Sequence, residues 1–412
     1  MNKCCENGAG DGARQVDTSL IRVNDLVFSG EQPTISHVSV ERYRCLKSFE
    51  LEPAKMNILI GRNNAGKSTA LEAIVIAATS STGYIDARGE DILMHIAARH
   101  NWELGYFVDI GSTDAKLSIT RPIDGVSTES TVELSYLKRG FPKDEKLAEL
   151  IKENALERAQ QDYRRRRARI VADRPRVMSD EQLREELERV EAQTTAEIFA
   201  RGKLVLANPS ANRIDVLLEG KYEHEVVRSS PGVSTGVLFS GPGIEITLKN
   251  LHDSLLPTAR FSSVMDSIRE AIPYVADIRT LQDRILVYLR DTDRPIPIEL
   301  MGDGFREVLR IAFITALTRG GAIFLEEPEN HLHPGFMELV SSFLVDSAKD
   351  KETQLFISTH SMEFLNHLLE KFENDIRVVR MYRVDSTIDF EVMNGKEALE
   401  ESKESGFDLR GI

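Results

Sequence analysis

Cysteine is scarce in this chain of 412 residues, which contains three, two of them adjacent at Cys4 and Cys5. Three cysteines cannot build a disulfide framework or a four-cysteine zinc site. Apolar runs are short as well: none approaches the ~18 residues that a membrane-spanning helix needs, and the N-terminus has no apolar signal-peptide core. We therefore expect a cytoplasmic protein with no membrane partner.

Net positive charge is also lacking, since 52 lysines and arginines stand against 66 aspartates and glutamates and leave a formal charge of −14. Nucleic-acid binding would therefore need a local basic patch, because the average charge repels phosphate. Hydrophobic residues make up 41% of the chain, a share that excludes wholesale disorder. The composition predicts a globular protein of two or three units, or one large domain with insertions.

The order of predicted elements divides the chain into four parts. Residues 1–34 are rich in Gly, Asp, Asn and Ser and are predicted to form a flexible tail. Residues 35–140 form an N-terminal lobe, residues 141–202 a helical-hairpin arm and residues 203–412 a C-terminal lobe, in which strands alternate with helices. This order predicts an α/β fold of two lobes, with a mixed sheet, an antiparallel subsheet and a short inserted arm.

Apolar runs and their spacing predict where strands and helices lie within these parts. Strands are predicted at residues 35–40, 46–51 and 56–60, and shorter strand-like runs at 105–110 and 244–248. In the arm, apolar residues recur at helical spacing on both sides of a break at 173–176, and Ser179 with Gln182 forms a capping box that restarts the helix. A helix of ~25–29 residues reaches only ~40 Å, which is too short for a chromosome-scale coiled coil.

A phosphate-binding loop follows the third predicted strand and opens a helix, which is the context that such a loop requires. Its glycines let backbone N–H groups surround a phosphate, and the helix N-terminus adds positive charge. Lys67 is predicted to reach the β- and γ-phosphates and Ser68 to ligate Mg²⁺. The nucleotide-binding residues are Gly61, Arg62, Asn63, Asn64, Ala65, Gly66, Lys67, Ser68 and Thr69.

A second apolar strand, residues 322–325, ends in the adjacent carboxylates Glu326 and Glu327. Such a pair can give one carboxylate to the metal and one to the attacking water. By position, Glu326 is predicted on the metal side and Glu327 as the water-orienting base. The alternative is a solvated acidic turn.

With these two motifs far apart and the arm between them, the sequence resembles ABC-type ATPases of the SMC-like and OLD-like kind. Gly302, Asp303 and Gly304 stand where that family places its signature motif. Residues 326–334 resemble a merged Walker B and D-loop, and His360 matches the switch histidine. The resemblance covers residues 35–412 and implies that ATP and Mg²⁺ are the cofactors. It also implies that two copies join around ATP as a homodimer or higher oligomer.

The chain departs from the family pattern at three places. Gly302 replaces the usual signature serine, and Glu326 replaces the usual aspartate. No glutamine occurs between Gln32 and Gln160, so the expected Q-loop ligand is missing, and Glu90 or Asp91 is a candidate replacement.

Three other features have competing interpretations. His331 and His333 imitate a metal-binding pair, but their D-loop context favours a dimer contact. Asp291 and Asp293 resemble a nuclease motif, but a predicted turn explains them better. Arg44 and Lys47 lie where related ATPases contact nucleotide, and a solvated strand edge explains them equally well.

The arm carries one basic patch near its predicted tip, where eight arginines and two acids lie between Arg158 and Arg176. Four consecutive arginines spread around a helix, so the patch predicts a collar of positive charge. One interpretation is a solvated face pairing with acids at residues 181–191. The other is a contact with nucleic acid or an acidic partner through Arg164, Arg165, Arg166 and Arg167.

The resemblance extends to the ATPase components of antiviral systems such as PARIS, Septu and OLD-like assemblies. It implies an ATP-hydrolysing sensor, with Glu327 and His360 catalytic, that controls a separate effector, a nuclease, in prokaryotic antiviral defence. The alternative is a DNA-repair or recombination ATPase that acts directly on DNA. A non-hydrolysing scaffold is disfavoured by the presence of Lys67, Ser68 and Glu327. No carboxylate cluster after His360 suggests a nuclease site, so we expect no cleavage by this chain itself.

Overall fold

The computed structural model describes most of the chain, with gaps. Several sequence predictions lie outside the described residues: nearly all of the tail with Cys4 and Cys5, the Q-loop candidates Glu90 and Asp91, and the capping residue Ser179. The described residues are 34–80, 92–123, 125–173, 180–220, 224–228, 237–241, 247–282, 284–318, 320–350, 352–385, 387–404 and 408–410.

Strands and helices alternate along the described chain. The strands are β1 (His37–Tyr43), β2 (Leu46–Leu51), β3 (Met56–Ile60), β4 (Asp114–Ile123), β5 (Val126–Leu137), β6 (Lys203–Asn208), β7 (Arg213–Leu218), β8 (His224–Arg228), β9 (Val237–Ser240), β10 (Val275–Leu281), β11 (Arg284–Leu289), β12 (Ile296–Pro297), β13 (Ala322–Glu326), β14 (Gln354–Thr359), β15 (Ile376–Val384) and β16 (Thr387–Asn394). The helices are α1 (Lys67–Thr79), α2 (Ile92–Arg99), α3 (Glu145–Asp173), α4 (Asp180–Ala200), α5 (Leu248–Leu255), α6 (Arg260–Ala271), α7 (Asp303–Leu317), α8 (Pro334–Asp350), α9 (Met362–Phe372) and α10 (Gly395–Glu404).

The central sheet has the order β16-β15-β3-β14-β13-β9, and all its neighbours are parallel except the β15–β16 pair. Its middle strands are buried on both faces, as the continuous apolar run of β3 predicts. On one face Ile58 packs with helices α5 to α9, and on the other Leu59 packs toward α1. Phe324 and Phe356 stack 4.8 Å apart on the α1 side.

A second, antiparallel sheet covers α1, with the order β2-β1-β4-β5-β6-β7-β8. Helix α1 lies between the two sheets, and every residue of it except Ser68 is buried. A helix enclosed in this way needs apolar residues on all sides, which explains why α1 has no polar face. Both predicted lobes contribute strands to both large sheets. A small sheet of β10, β11 and β12 completes the strand arrangement.

The helices α3 and α4 run antiparallel. Gln160 donates to Glu191 at 2.5 Å and Tyr163 donates to Glu186 at 2.8 Å. At the root of this helical hairpin a small apolar cluster joins it to the antiparallel sheet. The buried members of the cluster are Ile151, Ala155, Ile198, Val205, Val216 and Leu218.

Most predicted elements are confirmed, and two short ones need correction. The run at residues 105–110 is not a strand: residues Leu104–Phe107 form a 3₁₀ turn, because Leu104 and Phe107, three positions apart, are both buried in the core. Residues 244–246 lie outside the described chain, and Leu248 begins helix α5 where a strand is predicted. None of the described helices has the length and apolar character needed to cross a bilayer.

Candidate active site

The candidate site lies at one edge of the central sheet, where three neighbouring parallel strands end. Register pairs Ile60 of β3 with Thr359 of β14, and Glu326 of β13 with Ser358 of β14. The segments that follow these strands therefore start side by side. They surround a cavity of about 760 Å³. Its lining includes the sequence-predicted residues Asn63, Asn64, Ala65, Gly66, Lys67, Ser68, Thr69, Glu326 and Glu327.

The loop between β3 and α1 has the backbone that a phosphate-binding loop requires. Gly66 caps α1 with a φ of +88°, in the region that favours glycine. A Cβ at Gly61 would lie 2.1 Å from the carbonyl oxygen of Met381, so only glycine fits there. The Lys67 ammonium donates to the carbonyls of Gly61 at 2.8 Å and Arg62 at 3.0 Å.

Lys67 is a partly desolvated cation close to three carboxylates. Burial lowers its pKa, while the negative charges of Glu327, Glu329 and Glu326 oppose that shift. The next residue, Ser68, is the incompletely buried position of α1 and lines the cavity. The lysine and the hydroxyl therefore lie together at the helix N-terminus, where negative charge is stabilised.

Glu326 is nearly buried and is held by an arginine that sequence reasoning missed. The guanidinium of Arg99, the last residue of α2, donates Nη2 to Glu326 Oε1 at 2.8 Å and Nη1 to Oε2. The side chain of Glu326 is 3% exposed and that of Arg99 is 22% exposed. Hydrogen bonding and attraction to Glu326 raise the pKa of Arg99 against the opposing effect of burial.

Glu72 is a second buried carboxylate in the same cavity. Its carboxylate accepts a hydrogen bond from Arg44 Nη1 at 3.1 Å. His100 Nε2 lies 3.1 Å from the same carboxylate, and Arg99 Nη1 lies 3.5 Å from it. Arg44 is thus at the cavity wall, while Lys47 is exposed on β2 and does not line the cavity. Buried carboxylates require such partners.

Glu327 follows Glu326 and has a left-handed backbone conformation with a φ of +48°. Asn330 Nδ2 donates to its Oε2 at 3.0 Å, and His360 Nδ1 lies 3.5 Å from its Oε1. A non-glycine residue in this region is strained, and such strain is common at functional sites. The conformation leaves Glu327 at the cavity wall.

Glu329 connects the acidic turn to His360. Its Oε1 accepts the Thr359 hydroxyl at 2.5 Å and the backbone N–H of His360 at 3.2 Å, and His360 Nδ1 is 3.6 Å away. Its Oε2 is buried and has no hydrogen-bond partner in the described part of the chain. Burial raises the pKa of this carboxyl.

The residues predicted as the signature motif do not line this cavity in the same chain. Gly302 caps α7 in an extended conformation, and space around its Cα is open. Asp303 contacts Arg306 within the first turn. A Cβ at Gly304 would lie 2.6 Å from the carbonyl oxygen of His331, so the signature turn packs directly on the predicted D-loop.

The other sequence candidates lie elsewhere. Asp291 and Asp293 occupy the connection between β11 and β12, as the turn interpretation predicts. His333 accepts the backbone N–H of Gly335 at 3.3 Å. Across the described ranges, no three His, Cys, Asp or Glu side chains gather into a potential metal site. Arg164 and Arg165 of α3 are exposed.

Sequence reasoning missed Arg99, His100, Glu72 and Glu329. A signal existed for Glu72, because it is a lone carboxylate in an otherwise apolar helix and so needed a buried partner. Nothing in the sequence identified Arg44 and His100 as the partners of Glu72, or Arg99 as the partner of Glu326. Arg383 of β15, which also lines the cavity, had no motif either.

The donor set fits a nucleotide polyphosphate with Mg²⁺. Magnesium takes oxygen ligands from one or two protein groups together with substrate phosphates. Ser68 supplies a hydroxyl and Glu326 a carboxylate beside the Lys67 ammonium, and all three line one cavity. In the present arrangement Arg99 occupies both oxygens of Glu326.

Two family models match the chain. The model described as "AAA domain, putative AbiEii toxin, Type IV TA system" matches residues 128–366, more than half of the chain. A second, described as an AAA ATPase domain, matches residues 34–199. Together they cover residues 34–366, which include the N-terminal lobe, the arm and most of the C-terminal lobe.

Curated relatives share shorter stretches. An uncharacterized protein of Methanocaldococcus jannaschii is 33% identical over 115 residues, which cover 27% of this chain and all of the relative. An ATP/GTP phosphatase of Helicobacter pylori is 29% identical over 89 residues, 21% of this chain and 24% of that protein. The chain therefore spans only about a quarter of the phosphatase.

Solved structures with detectable likeness include SMC head domains. One is the Pyrococcus furiosus head domain bound to the C-terminal domain of ScpA. The match covers 91% of this chain and 100% of the head-domain chain, at 14% identity and a TM-score of 0.48. The head domain of Thermotoga maritima covers 87% and 99%, at 11% identity and a TM-score of 0.42. At these identities the likeness extends no further than the fold.

The raised pKa of the Glu329 carboxyl predicts how replacing Glu329 by glutamine changes the stability of the folded chain. Because the folded chain holds the carboxyl proton to higher pH than the unfolded chain, stability falls as pH rises above the unfolded pKa. Glu329→Gln keeps the acceptor Oε1 and cannot ionise. We expect the nucleotide-free variant to unfold at a higher temperature than the wild type at pH 7.5, with a smaller gain at pH 4.

Thermal unfolding followed by circular dichroism at both pH values measures this. Glu50→Gln, an exposed position on β2, is the matched control and should change little. An unfolding temperature of Glu329→Gln at or below the wild-type value at pH 7.5 would contradict the prediction.

Proposed function

Because the chain belongs to the AAA-domain family whose model matches residues 128–366, we propose that it binds ATP with Mg²⁺ and hydrolyses the γ-phosphate bond. The observation that carries this proposal is the convergence of Lys67, Ser68, Glu326 and Glu327 on one cavity at the ends of parallel strands. The AAA ATPase model over residues 34–199 supports it, because that range contains the phosphate-binding loop.

Each side chain has a role that follows from its chemistry. The backbone N–H groups of the loop and the Lys67 ammonium hold the phosphates, and Lys67 exchanges its two carbonyl contacts for phosphate oxygens. Ser68 and Glu326 hold the metal ion. When bound, Mg²⁺ neutralises charge on the β- and γ-phosphates.

Glu327 orients and deprotonates the attacking water. Its Oε2 is fixed by Asn330, which leaves Oε1 directed toward His360. His360 follows β14 and is held through its backbone N–H by Glu329. The two side chains therefore act as a pair, with His360 stabilising negative charge near the γ-phosphate.

The complete site needs a second copy of the chain. Gly302, Asp303 and Gly304 lie at the N-terminus of α7 and outside the cavity of their own chain. A helix N-terminus with open glycine backbone suits a phosphate. We propose that the α7 N-terminus of one copy contacts the γ-phosphate held by the other, in a homodimer or higher homo-oligomer.

Variants of the two central residues test this reaction. Glu327→Gln should retain ATP binding, lose at least about 100-fold in turnover, as expected for a lost general base, and accumulate an ATP-bound dimer. Lys67→Ala should abolish binding. ATP binding by calorimetry, phosphate release and light scattering measure the three effects. Glu270→Gln, exposed on α6, is the control. Wild-type turnover in Glu327→Gln would refute the assigned base.

The proposed biological role is control of a separate effector, a nuclease, in prokaryotic antiviral defence within the cytoplasm. The family description supports a two-component system, because it names toxin–antitoxin systems. Phosphodiester cleavage usually needs several metal-binding carboxylates. Within the described ranges no group of three potential ligands occurs, so we assign cleavage to another polypeptide.

Assays of nucleic-acid cleavage and of ATP turnover distinguish this role from a role in DNA repair. The purified chain is incubated with ATP and with plasmid DNA or tRNA, in Mg²⁺ or Mn²⁺, with and without the product of the neighbouring gene. We expect cleavage only when both proteins are present. ATP turnover stimulated by DNA without a partner would favour the repair ATPase, and cleavage by the chain alone that survives Lys67→Ala would refute the absence of a nuclease site.

The basic patch on the arm provides a surface for an anionic partner. Arg164 and Arg165 are exposed on α3, while the opposing acids Glu186 and Glu191 accept hydrogen bonds from the neutral side chains Tyr163 and Gln160. These two acids therefore have partners other than the arginines. We propose that residues 164–167 contact nucleic acid or an acidic protein.

Replacing Arg164, Arg165, Arg166 and Arg167 by glutamate should leave ATP turnover near the wild-type value. Binding to duplex DNA, RNA or the partner protein should fall and lose its salt dependence, because fewer counterions are released. The matched control replaces the same four residues by lysine and should keep most of the affinity. If the glutamate variant binds as tightly as the wild type across a salt series, the patch is a solvated face and not a binding surface.

A further inference from the structure

Arg99 and Glu326 form an enclosed cation–carboxylate pair at the cavity wall. Nη2 of Arg99 donates to Oε1 of Glu326 at 2.8 Å, and Nη1 donates to Oε2. The side chain of Glu326 is 3% exposed. A two-pronged guanidinium–carboxylate pair of this kind is strong and directional. The contact joins α2 to the end of β13 across 227 residues of sequence.

The pair is not needed to neutralise the neighbouring Glu72. Arg44 and His100 each approach Glu72 at 3.1 Å, whereas Arg99 is 3.5 Å away. Lys67, the other cation near Glu326, donates to two backbone carbonyls. Arg99 is therefore a cation that contacts both carboxylate oxygens of Glu326 directly.

A metal ion at Glu326 would compete with this arrangement. Each carboxylate oxygen already accepts an N–H, and the charge of the guanidinium repels a divalent cation brought to the same oxygens. Mg²⁺ also sheds its water reluctantly, so it gains little from a carboxylate that is already paired. Arg99 and the metal ion thus exclude each other.

We propose that Arg99 is a metal-displaceable counter-ion of Glu326, which holds the carboxylate until Mg²⁺ arrives with the nucleotide. Arg99 is a positioning residue in this scheme, because it acts through Glu326. The proposal rests on the proposed ATPase function, and it adds that the Mg²⁺ requirement is set by a residue outside the recognised motifs. Binding of Mg²⁺–nucleotide then releases the C-terminal end of α2 from β13.

Magnesium titration of nucleotide binding tests the proposal without measuring turnover. ATP affinity is measured by calorimetry over a range of Mg²⁺ concentrations, in a Glu327→Gln background that prevents hydrolysis. Arg99→Ala should lower the Mg²⁺ concentration at half-maximal binding by roughly tenfold, as expected for loss of a competing charged hydrogen bond. Arg99→Lys, a point charge without the planar fork, should give a smaller shift in the same direction.

Two controls separate the possible failures. Arg279→Ala removes an arginine that pairs with Asp277 outside the cavity and should leave the Mg²⁺ midpoint unchanged. If the Glu327→Gln protein with Arg99 intact binds no ATP, the proposed function fails. If it binds ATP but Arg99→Ala and Arg99→Lys leave the midpoint unchanged or raise it, the counter-ion proposal alone is refuted. A loss of ATP affinity without Mg²⁺ would also refute it, because Arg99 would then be a phosphate ligand.

If Arg99→Ala does not fold, the lysine variant decides. Thermal unfolding of each variant without nucleotide establishes that it is folded before titration. Hydrogen exchange of α2 provides an independent readout: amides at its C-terminal end should exchange faster when Mg²⁺ and ATP are both present than with ATP alone. Equal exchange under both conditions would refute the release of α2.

Discussion

Burial of the central sheet on both faces is the constraint on which the other features depend. Because β3, β14 and β13 are parallel neighbours, every loop that follows them emerges at one edge. A charged group without a partner is costly within these buried strands, so the charged chemistry lies at their ends. The strand order therefore brings together the loop after β3, the two adjacent glutamates at the end of β13 and His360 after β14.

That concentration of polar groups has an electrostatic cost, which the surrounding helices offset. Glu72, Glu326 and Glu329 are all nearly buried, and only the first two have arginine partners. Glu329 relies instead on a hydroxyl and a backbone N–H. The site thus combines carboxylates held by charge with one held by dipoles, and burial raises the pKa of the latter, Glu329.

Sequence patterns were sufficient where a local rule applied. The bounds of β2 and β3 follow from apolar runs, and the phosphate-binding loop follows from glycine spacing and its place between a strand and a helix. The 3₁₀ turn at Leu104 was missed because the short apolar run at residues 105–110 predicts a strand, whereas the two buried residues, Leu104 and Phe107, have the three-residue spacing of a 3₁₀ turn. Arg99 was missed for another reason: it lies on helix α2 and its partner Glu326 on a strand 227 residues away, and only the tertiary fold brings them together.

The arm leaves and re-enters the fold at adjacent points. Tyr136 on β5 pairs with Leu204 on β6, so the strands on either side of the insertion are direct neighbours. An insertion that begins and ends in this way adds no gap to the sheet. A change in the length of the arm would therefore cost mainly loop-closure entropy, because the two strands that anchor the arm stay paired.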